Sequence, residues 1–480
     1  MNDATFDKPS RKSFDARLKR MVDRLRSQIW NGEYNPGDFL PSEKALTEQF
    51  GLSNKSVRKG LETLVREGLI VKIDRVGSRV TEGAPGGSAT ITLGYTHSIE
   101  RDIALSALLD DFRLAHPSIR VKTLEIRSVS NYMAAVKEYS DNGLLDVFTL
   151  NNMDFQIALD EGDRLRLERF PPDPRTYRFA QDAFVSDGEL HARPLVFSPI
   201  ILAYNRAHFR EEGVPEPDSS WTWDEAIRHA AALTKPGTRH GLYFYLLSDN
   251  RWPAFLLQSG ERFETDADGR LRLAGSRLLE SVRLCRRIVA DRTVFPSYLS
   301  ENSDDVNELF QQGKVSMIMT NYMTINDFKH SDLEYDISPL PYMYEPRSLM
   351  NVIGVAVSSK TKHPEAARQL ADYLASPRAQ RIIRERTLSL PAHKETAEMP
   401  SDPSEGMNRP SRYFLFREIM ASYRLHRELN LSPSAFAAFR QLLKKYGSGL
   451  IDEDELCRQT AQLPNGAGRG AAAHPAPARD

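Results

Sequence analysis

The sequence predicts a multidomain chain: a small α+β head followed by a much larger α/β body. Three observations predict it. At 480 residues the chain is too long for one domain, since a domain takes roughly 100–200 residues. The net charge of −1 hides a split: residues 1–83 carry 16 Lys+Arg against 12 Asp+Glu, and the remainder 48 against 53. The head is therefore basic and the body acidic, which points to different partners for each. Finally, helical periodicity dominates up to about residue 68, whereas strands and helices alternate beyond a Gly/Ala/Pro-rich stretch at 83–89.

Composition excludes several classes. With 40% hydrophobic and 27% charged residues the chain is neither disordered nor fibrous. No apolar run reaches the roughly 18 residues of a membrane span. Cys285 and Cys457 are far apart and belong to no CxxC pair, so two buried free thiols are expected rather than a disulfide or a zinc site. The first residues, Met1-Asn2-Asp3-Ala4-Thr5-Phe6, hold no apolar h-region, so a cytoplasmic location is expected.

In the head, Leu18, Met21, Val22, Leu25 and Ile29 recur at helical spacing. Tyr34-Asn35-Pro36-Gly37 is a turn signal. Ser42 caps a second helix that Gly51 terminates. Ser53 caps a third, with Val57, Leu61 and Leu64 on its core face. Leu69–Ile73 and Ser78–Val80 form a small hairpin. Three helices and a hairpin describe a winged helix-turn-helix whose third helix enters the major groove of DNA. Lys55, Ser56, Arg58 and Lys59 lie off the core face of that helix, where cations and hydroxyls suit phosphate and base-edge contacts. A solvated basic face is the competing reading.

The run Tyr34-Asn35-Pro36-Gly37-Asp38-Phe39-Leu40-Pro41-Ser42-Glu43 resembles the start of the GntR-family DNA-binding domain. Leu46, Phe50-Gly51, Ser53, Ser56-Val57-Arg58, Leu61, Leu64 and Glu67-Gly68-Leu69-Ile70 continue the pattern without a gap. The resemblance implies operator contacts from Lys44, Ser53, Asn54, Lys55, Ser56, Arg58, Lys59 and the wing glycine Gly77. Two positions depart from the family. Lys44 and Asn54 stand where arginine is frequent. Lysine lacks the bidentate fork that reads guanine, and asparagine more naturally reads adenine. An operator different from the family's usual one is implied.

In the body, Ile91–Tyr95 reads as a buried strand and residues 100–115 as one amphipathic helix. Strand, helix and strand follow at 119–126, 129–140 and 144–150. This alternation predicts a mostly parallel sheet with helices on both faces, and ligands beyond the carboxyl ends of its strands. Asp187-Gly188, His191-Ala192-Arg193-Pro194, Tyr204-Asn205-Arg206, Gly213-Val214-Pro215 and Trp223-Asp224-Glu225-Ala226 come next. Phe310-Gln311-Gln312-Gly313-Lys314-Val315, Gly354–Ser358, His363-Pro364-Glu365-Ala366-Ala367 and Ser376-Pro377-Arg378-Ala379-Gln380 complete the set. In this order they resemble the family 1 extracellular solute-binding proteins, of the maltose-binding-protein type.

That resemblance implies a two-lobed periplasmic-binding-protein-like (type II) α/β domain closing on a solute. Lobe one is expected at about 91–196 plus 352–395, and lobe two at about 197–351 plus the C-terminal helices. The full expected organisation is a winged helix-turn-helix at 13–83, a linker at 84–90, an effector domain at 91–463 and a disordered tail at 464–480. Cleft positions carry over to His97, Asn151, Asn152, Asp154, Phe197, Ser198, Asp249, Asn250, Trp252, Asn321 and Tyr322. Amides and carboxylates bridging hydroxyls, beside aromatic faces, are sugar-binding chemistry. For some positions a structural reading stands beside this one: core packing for Trp252, interlobe packing for Tyr322, and helix capping for Asn151 and Asn152. Met323 stands where relatives place an aromatic.

The expected function is a ligand-responsive transcription regulator: a homodimer binding double-stranded operator DNA and sensing a carbohydrate-like solute, with no membrane partner. No catalytic residue, metal site or cofactor is expected. Two alternatives are an ABC-importer receptor and a pyridoxal-phosphate aminotransferase-like regulator. The first needs export. The second needs a Schiff-base lysine, and Ser358-Ser359-Lys360 mimics one without the Asn-Pro-x-x-Pro-x-Gly segment that would precede it. Asp266-Ala267-Asp268-Gly269 reads as a hairpin turn rather than a calcium loop.

Overall fold

The serines and glycines of the head act as the periodicity demands. In a computed structural model that describes residues 11–30, 33–74, 76–81, 89–127, 132–160, 166–246, 248–296, 303–400 and 406–464, helix α1 spans Arg11–Trp30, α2 Glu43–Phe50 and α3 Asn54–Arg66. Ser42 Oγ accepts from the Ala45 N–H at 3.2 Å, and Ser53 Oγ from the Ser56 N–H at 3.3 Å. Each satisfies an amide the helix start would otherwise leave unpaired. Gly51 ends α2 at φ +60°, the left-handed region open to glycine. Strands β1, Ile70–Ile73, and β2, Gly77–Val80, pair antiparallel as the wing. Met21, Leu25, Leu46, Val57, Leu61, Leu64 and Val80 bury together as the head's core. The expected linker and tail lie almost wholly outside the described residues.

Two units emerge from the packing: residues 1–92 with 109–123, and residues 93–108 with 124–480. Between 99 and 115 the expected single helix is two, Ile99–Ile103 and Leu105–Ala115. Ala104 adopts φ +54° between them. The Glu100 carboxylate supplies the reason: it accepts from both the backbone N–H and the hydroxyl of Ser106 at 2.9 Å, capping the second helix afresh.

The sheet of the larger unit is mixed rather than mostly parallel. Leu93 and Gly94 pair in parallel with Val147 and Phe148. The Ser348–Val357 strand then runs antiparallel both to Val147–Asn151 and to the long Arg193–Asn205 strand. The antiparallel pairs follow from the two long strands passing between lobes. Arg193–Pro199 pairs with the Ser348–Val357 strand, whereas Ile200–Asn205 pairs with Val315–Asn321 and Tyr335–Ser338. The lobe boundary therefore falls within continuous, fully buried strands, which suits a hinge.

Smaller expectations are resolved as well. Glu264–Thr265 and Leu271–Arg272 pair antiparallel around the Asp266–Gly269 turn. Lys360 lies beyond the Ser348–Val357 strand and pairs with Asp141 at 2.5 Å. Cys285 is buried, whereas Cys457 is half-buried. Trp223 is structural: its indole N–H donates to Gln258 Oε1 at 2.8 Å and its ring stacks on Phe255.

Candidate functional site

On the head, Lys44, Ser53, Asn54, Lys55, Arg58, Lys59 and Gly77 are exposed, while Ser56 is buried. Amphipathic α3 turns its apolar residues to the core, and this leaves its cations on the open face. Ser53 and Ser56 are partly committed to local structure, their hydroxyl oxygens lying 2.6 Å apart. Asn54 Oδ1 accepts from Thr47 Oγ1 at 3.0 Å, tying α3 to α2. Arg58 Nε donates to Glu43 Oε2 at 2.7 Å. That pairing raises the guanidinium's pKa. Lys72 of the wing lies 3.9 Å from the same carboxylate. Glu43 and Lys72 escape a sequence reading, because nothing local signals that α2, α3 and the wing meet at one carboxylate. At the wing tip, Gly77 adopts φ +144°, and neighbouring Val76 is 64% exposed.

In the body, the eleven cleft positions divide into two groups. The first is engaged by protein. Phe197 is buried among Tyr177, Phe179, Phe416 and Tyr423 rings. Ser198 Oγ accepts from the Tyr322 N–H at 2.7 Å. The Tyr322 hydroxyl donates to the Tyr413 carbonyl at 2.8 Å, and burial pushes its pKa well up. Asn321 Oδ1 accepts from Thr324 N and Oγ1, at 2.9 and 3.0 Å. Trp252 stacks on Phe436 with centroids 4.6 Å apart.

Asn152 and Asp249 meet at His426. Its Nε2 lies 2.7 Å from the Asp249 carbonyl and its Nδ1 3.2 Å from Asn152 Nδ2. A carbonyl only accepts, so Nε2 carries the proton and Nδ1 accepts from the amide. Burial lowers the His426 pKa, in keeping with a neutral ring. Asn152 Oδ1 also accepts from the Val352 N–H at 3.0 Å. Asp249 Oδ2 takes Arg440 Nη1 at 2.6 Å.

The second group keeps polar capacity. His97 is exposed at the end of the strand that begins the body, and Asn250 is half-buried. Among the described residues neither side chain makes a hydrogen bond. Asn151 Oδ1 caps the Asn152–Asp160 helix, accepting from the amides of Met153 and Asp154 at 2.7 and 2.9 Å. Its Nδ2 is left over. Asp154 Oδ2 accepts from the Asn151 N–H at 3.0 Å. Burial nevertheless pushes this carboxyl up to about 6.

Two arginines have partners that sequence reasoning did not find. Arg101 Nη1 reaches Asp304 at 3.4 Å and Asp327 at 3.3 Å, joining the two lobes, while its Nε holds buried Asp102 at 2.8 Å. Arg251 is 3% exposed, and its guanidinium donates to the Met319 and Asn250 carbonyls at 2.9 and 3.2 Å. Burial lowers its pKa to about 10. Each arginine has a partner distant in sequence: Asp304 and Asp327 for Arg101, and Met319 for Arg251. Among the described residues no group of His, Cys, Asp and Glu could hold a metal, and no helix is long and apolar enough to cross a membrane.

This architecture defines a class: a winged-helix DNA-binding domain joined to a two-lobed solute-binding body. The chain belongs to the bacterial extracellular solute-binding protein family, whose model matches residues 107–406, and it carries a domain of the bacterial regulatory proteins, gntR family, at residues 18–80. Neither family is enzymatic.

The chain spans about half the length of the curated relatives it matches, among them a Brucella abortus binding protein, 26% identical over 45% of this chain and 54% of the relative. The Bacillus subtilis galactooligosaccharide-binding protein is 24% identical over 56% of this chain and 66% of its own length. The transcriptional repressor NagR of the same species is 41% identical over 25% of this chain and 54% of its own. Among solved structures, a Listeria monocytogenes ABC substrate-binding protein in complex with cycloalternan superposes with a TM-score of 0.66. It shares 19% identity and covers 78% of this chain and 97% of its own. That likeness concerns the fold alone.

Proposed function

We propose that this protein is a ligand-responsive transcription regulator. Its winged helix binds operator DNA through Lys44, Ser53, Asn54, Lys55, Ser56, Arg58, Lys59 and Gly77. The carrying observation is the row of exposed cations on α3, of which Arg58 is held by Glu43, in the same chain as a solute-binding body. A helix that only needed solvation would not require its central arginine to be held by a carboxylate on the neighbouring helix. The organisation proposed is a head at 13–83, a linker at 84–90 and an effector body at 91–463.

The solute is a sugar or oligosaccharide, in line with the galactooligosaccharide-binding relative. His97, Asn151, Asp154 and Asn250 supply the contacts that remain open, and Asn152 and Asp249 set their loops. The protein acts in the cytoplasm as a homodimer on a two-fold operator. Solute closes the lobes and alters the spacing of the two heads. A coupling of about 1–3 kcal/mol shifts operator affinity about 5–150-fold.

Selection of duplexes from a random pool with the full chain, followed by a salt series, tests the head. Affinity falling steeply between low and moderate salt is expected. Selection of no sequence, or a flat salt response, contradicts the reading. Cell fractionation separates the regulator from an importer receptor, which would lie outside the cytoplasm.

A further inference from the structure

Arg251 stands where the two lobes meet, on the loop that follows the His240–Tyr243 strand. That strand runs parallel to Val315–Asn321. The loop therefore lies beyond the carboxyl ends of both, the side on which such sheets take ligands. The lobe-one strand Val147–Asn151 ends at the same place, since Asn152 and the Asp249 carbonyl share His426.

Arg251 is 3% exposed. Its Nε donates to the Met319 carbonyl at 2.9 Å and its Nη1 to the Asn250 carbonyl at 3.2 Å. Both partners are neutral, and Nη2 makes no hydrogen bond among the described residues. That nitrogen is not sealed in the interior, as the indole nitrogen of neighbouring Trp252 is. Among the described residues no carboxylate pairs with this guanidinium. Asp249, two positions away, is held by Arg440 at 2.6 Å. Arg239, also buried at 6% exposed, shows the ordinary arrangement: Glu211 and Glu212 hold it, each at 2.6 Å. On Arg251 burial acts alone, and its pKa falls to about 10 in consequence. A guanidinium withdrawn from water without a counter-charge is costly, and buried charges are ordinarily paired.

We propose that the solute of the cleft is an acidic sugar, a uronic acid or an oligosaccharide ending in one, whose carboxylate accepts from Arg251 Nη2. This rests on the sugar-sensing reading and narrows it. A neutral sugar offers Nη2 a hydroxyl but leaves the buried charge uncompensated. A carboxylate supplies the acceptor and the absent charge together, and hydrogen bonds of that kind are roughly twice as strong as neutral ones. Ring hydroxyls are left for the Asn250 amide on the same loop and for Asn151 on the facing lobe.

Isothermal titration of the full chain tests this with galacturonate, glucuronate, mannuronate and their disaccharides, each set against its neutral parent sugar. At least one acid is expected to bind ten or more times as tightly as its parent. The methyl ester of that acid keeps the shape and loses the charge, and should bind no better than the parent. Arg251→Met should bring the acid down to the parent's affinity. The ester comparison, made on the unaltered protein, decides the matter if this buried variant does not fold. Neutral sugars bound as tightly as their acids, or an ester bound as tightly as its acid, overturn the proposal and leave the sugar-sensing reading standing. Binding of neither acids nor neutral sugars overturns both.

Discussion

Arg58 on the third helix of the head donates through Nε to Glu43 Oε2 on the second, at 2.7 Å. The two residues are fifteen positions apart, and the contact fixes where the arginine presents its remaining N–H groups. Both side chains keep solvent access, 64% and 32%, so the pair adds little stability. Its consequence is orientation of a side chain suited to DNA.

Arg58→Ala is therefore expected to weaken operator binding at least tenfold while leaving the melting temperature within about 2 °C. Glu43→Gln should cost less affinity and relax sequence preference instead. Electrophoretic mobility shift across a panel of selected duplexes checks both. Equal binding by wild type and Arg58→Ala would remove the arginine from the interface.

Arg101 ties the lobes through Asp304 and Asp327 while also serving buried Asp102. Removing the arginine would strand the Asp102 carboxylate, so the cleaner change is Asp327→Asn. Half-exposed ion pairs are worth about 1 kcal/mol or less. Sugar affinity should accordingly fall up to about fivefold if the closed arrangement is the one that holds the solute. Isothermal titration with the sugar found by thermal-shift screening reads this directly.

Gly241 faces a backbone carbonyl: a Cβ there would meet the Ala230 oxygen at 1.9 Å. The strand His240–Tyr243 packs on the Trp223–Leu233 helix at this point. Gly241→Ala must part the two elements, at a cost of about 1–3 kcal/mol or more. Urea unfolding should show a lowered midpoint. Gly237→Ala provides the contrast, because that glycine has φ +75° and open space around it; its cost is backbone strain alone.

Asp154 gives a pH dependence of definite sign. Its folded carboxyl is raised to about 6 from an ordinary 3.8 by burial. A group raised on folding holds its proton better in the native state, so its contribution is most favourable below pH 3.8 and is lost as pH rises towards 6. Asp154→Asn should then stabilise the body at pH 7 relative to pH 4, by up to about 3 kcal/mol. Melting temperatures of both proteins from pH 4 to 7 should converge at the acid end. Parallel profiles would show that the carboxyl titrates normally.

The head was legible because its signals are local. Ser42, Gly51 and Ser53 each act on amides or dihedrals within a few residues, and the core periodicity of Val57, Leu61 and Leu64 needs no distant partner. Ala104 defeated the same logic: a non-glycine residue at φ +54° gives no signal of its own, and its cause is a Glu100 side chain capping the next helix. In the body, the strands and most helix starts were legible, but the cleft was not. Asn152 and Asp249 look alike as candidate sugar ligands, yet His426 takes the Asn152 amide from 274 residues away and Arg440 takes the Asp249 carboxylate from 191. Tyr322 is drawn into the aromatic cluster of Tyr413 and Phe416. Partners that far along the chain leave no mark in local spacing.

The central claim is that one chain couples a sugar to an operator. The decisive measurement is fluorescence anisotropy of a selected operator duplex titrated with the full chain, with and without a saturating sugar identified by thermal shift. The account predicts a 5–150-fold change in operator affinity, absent with a non-binding stereoisomer. Operator affinity that is the same with and without bound sugar would contradict it.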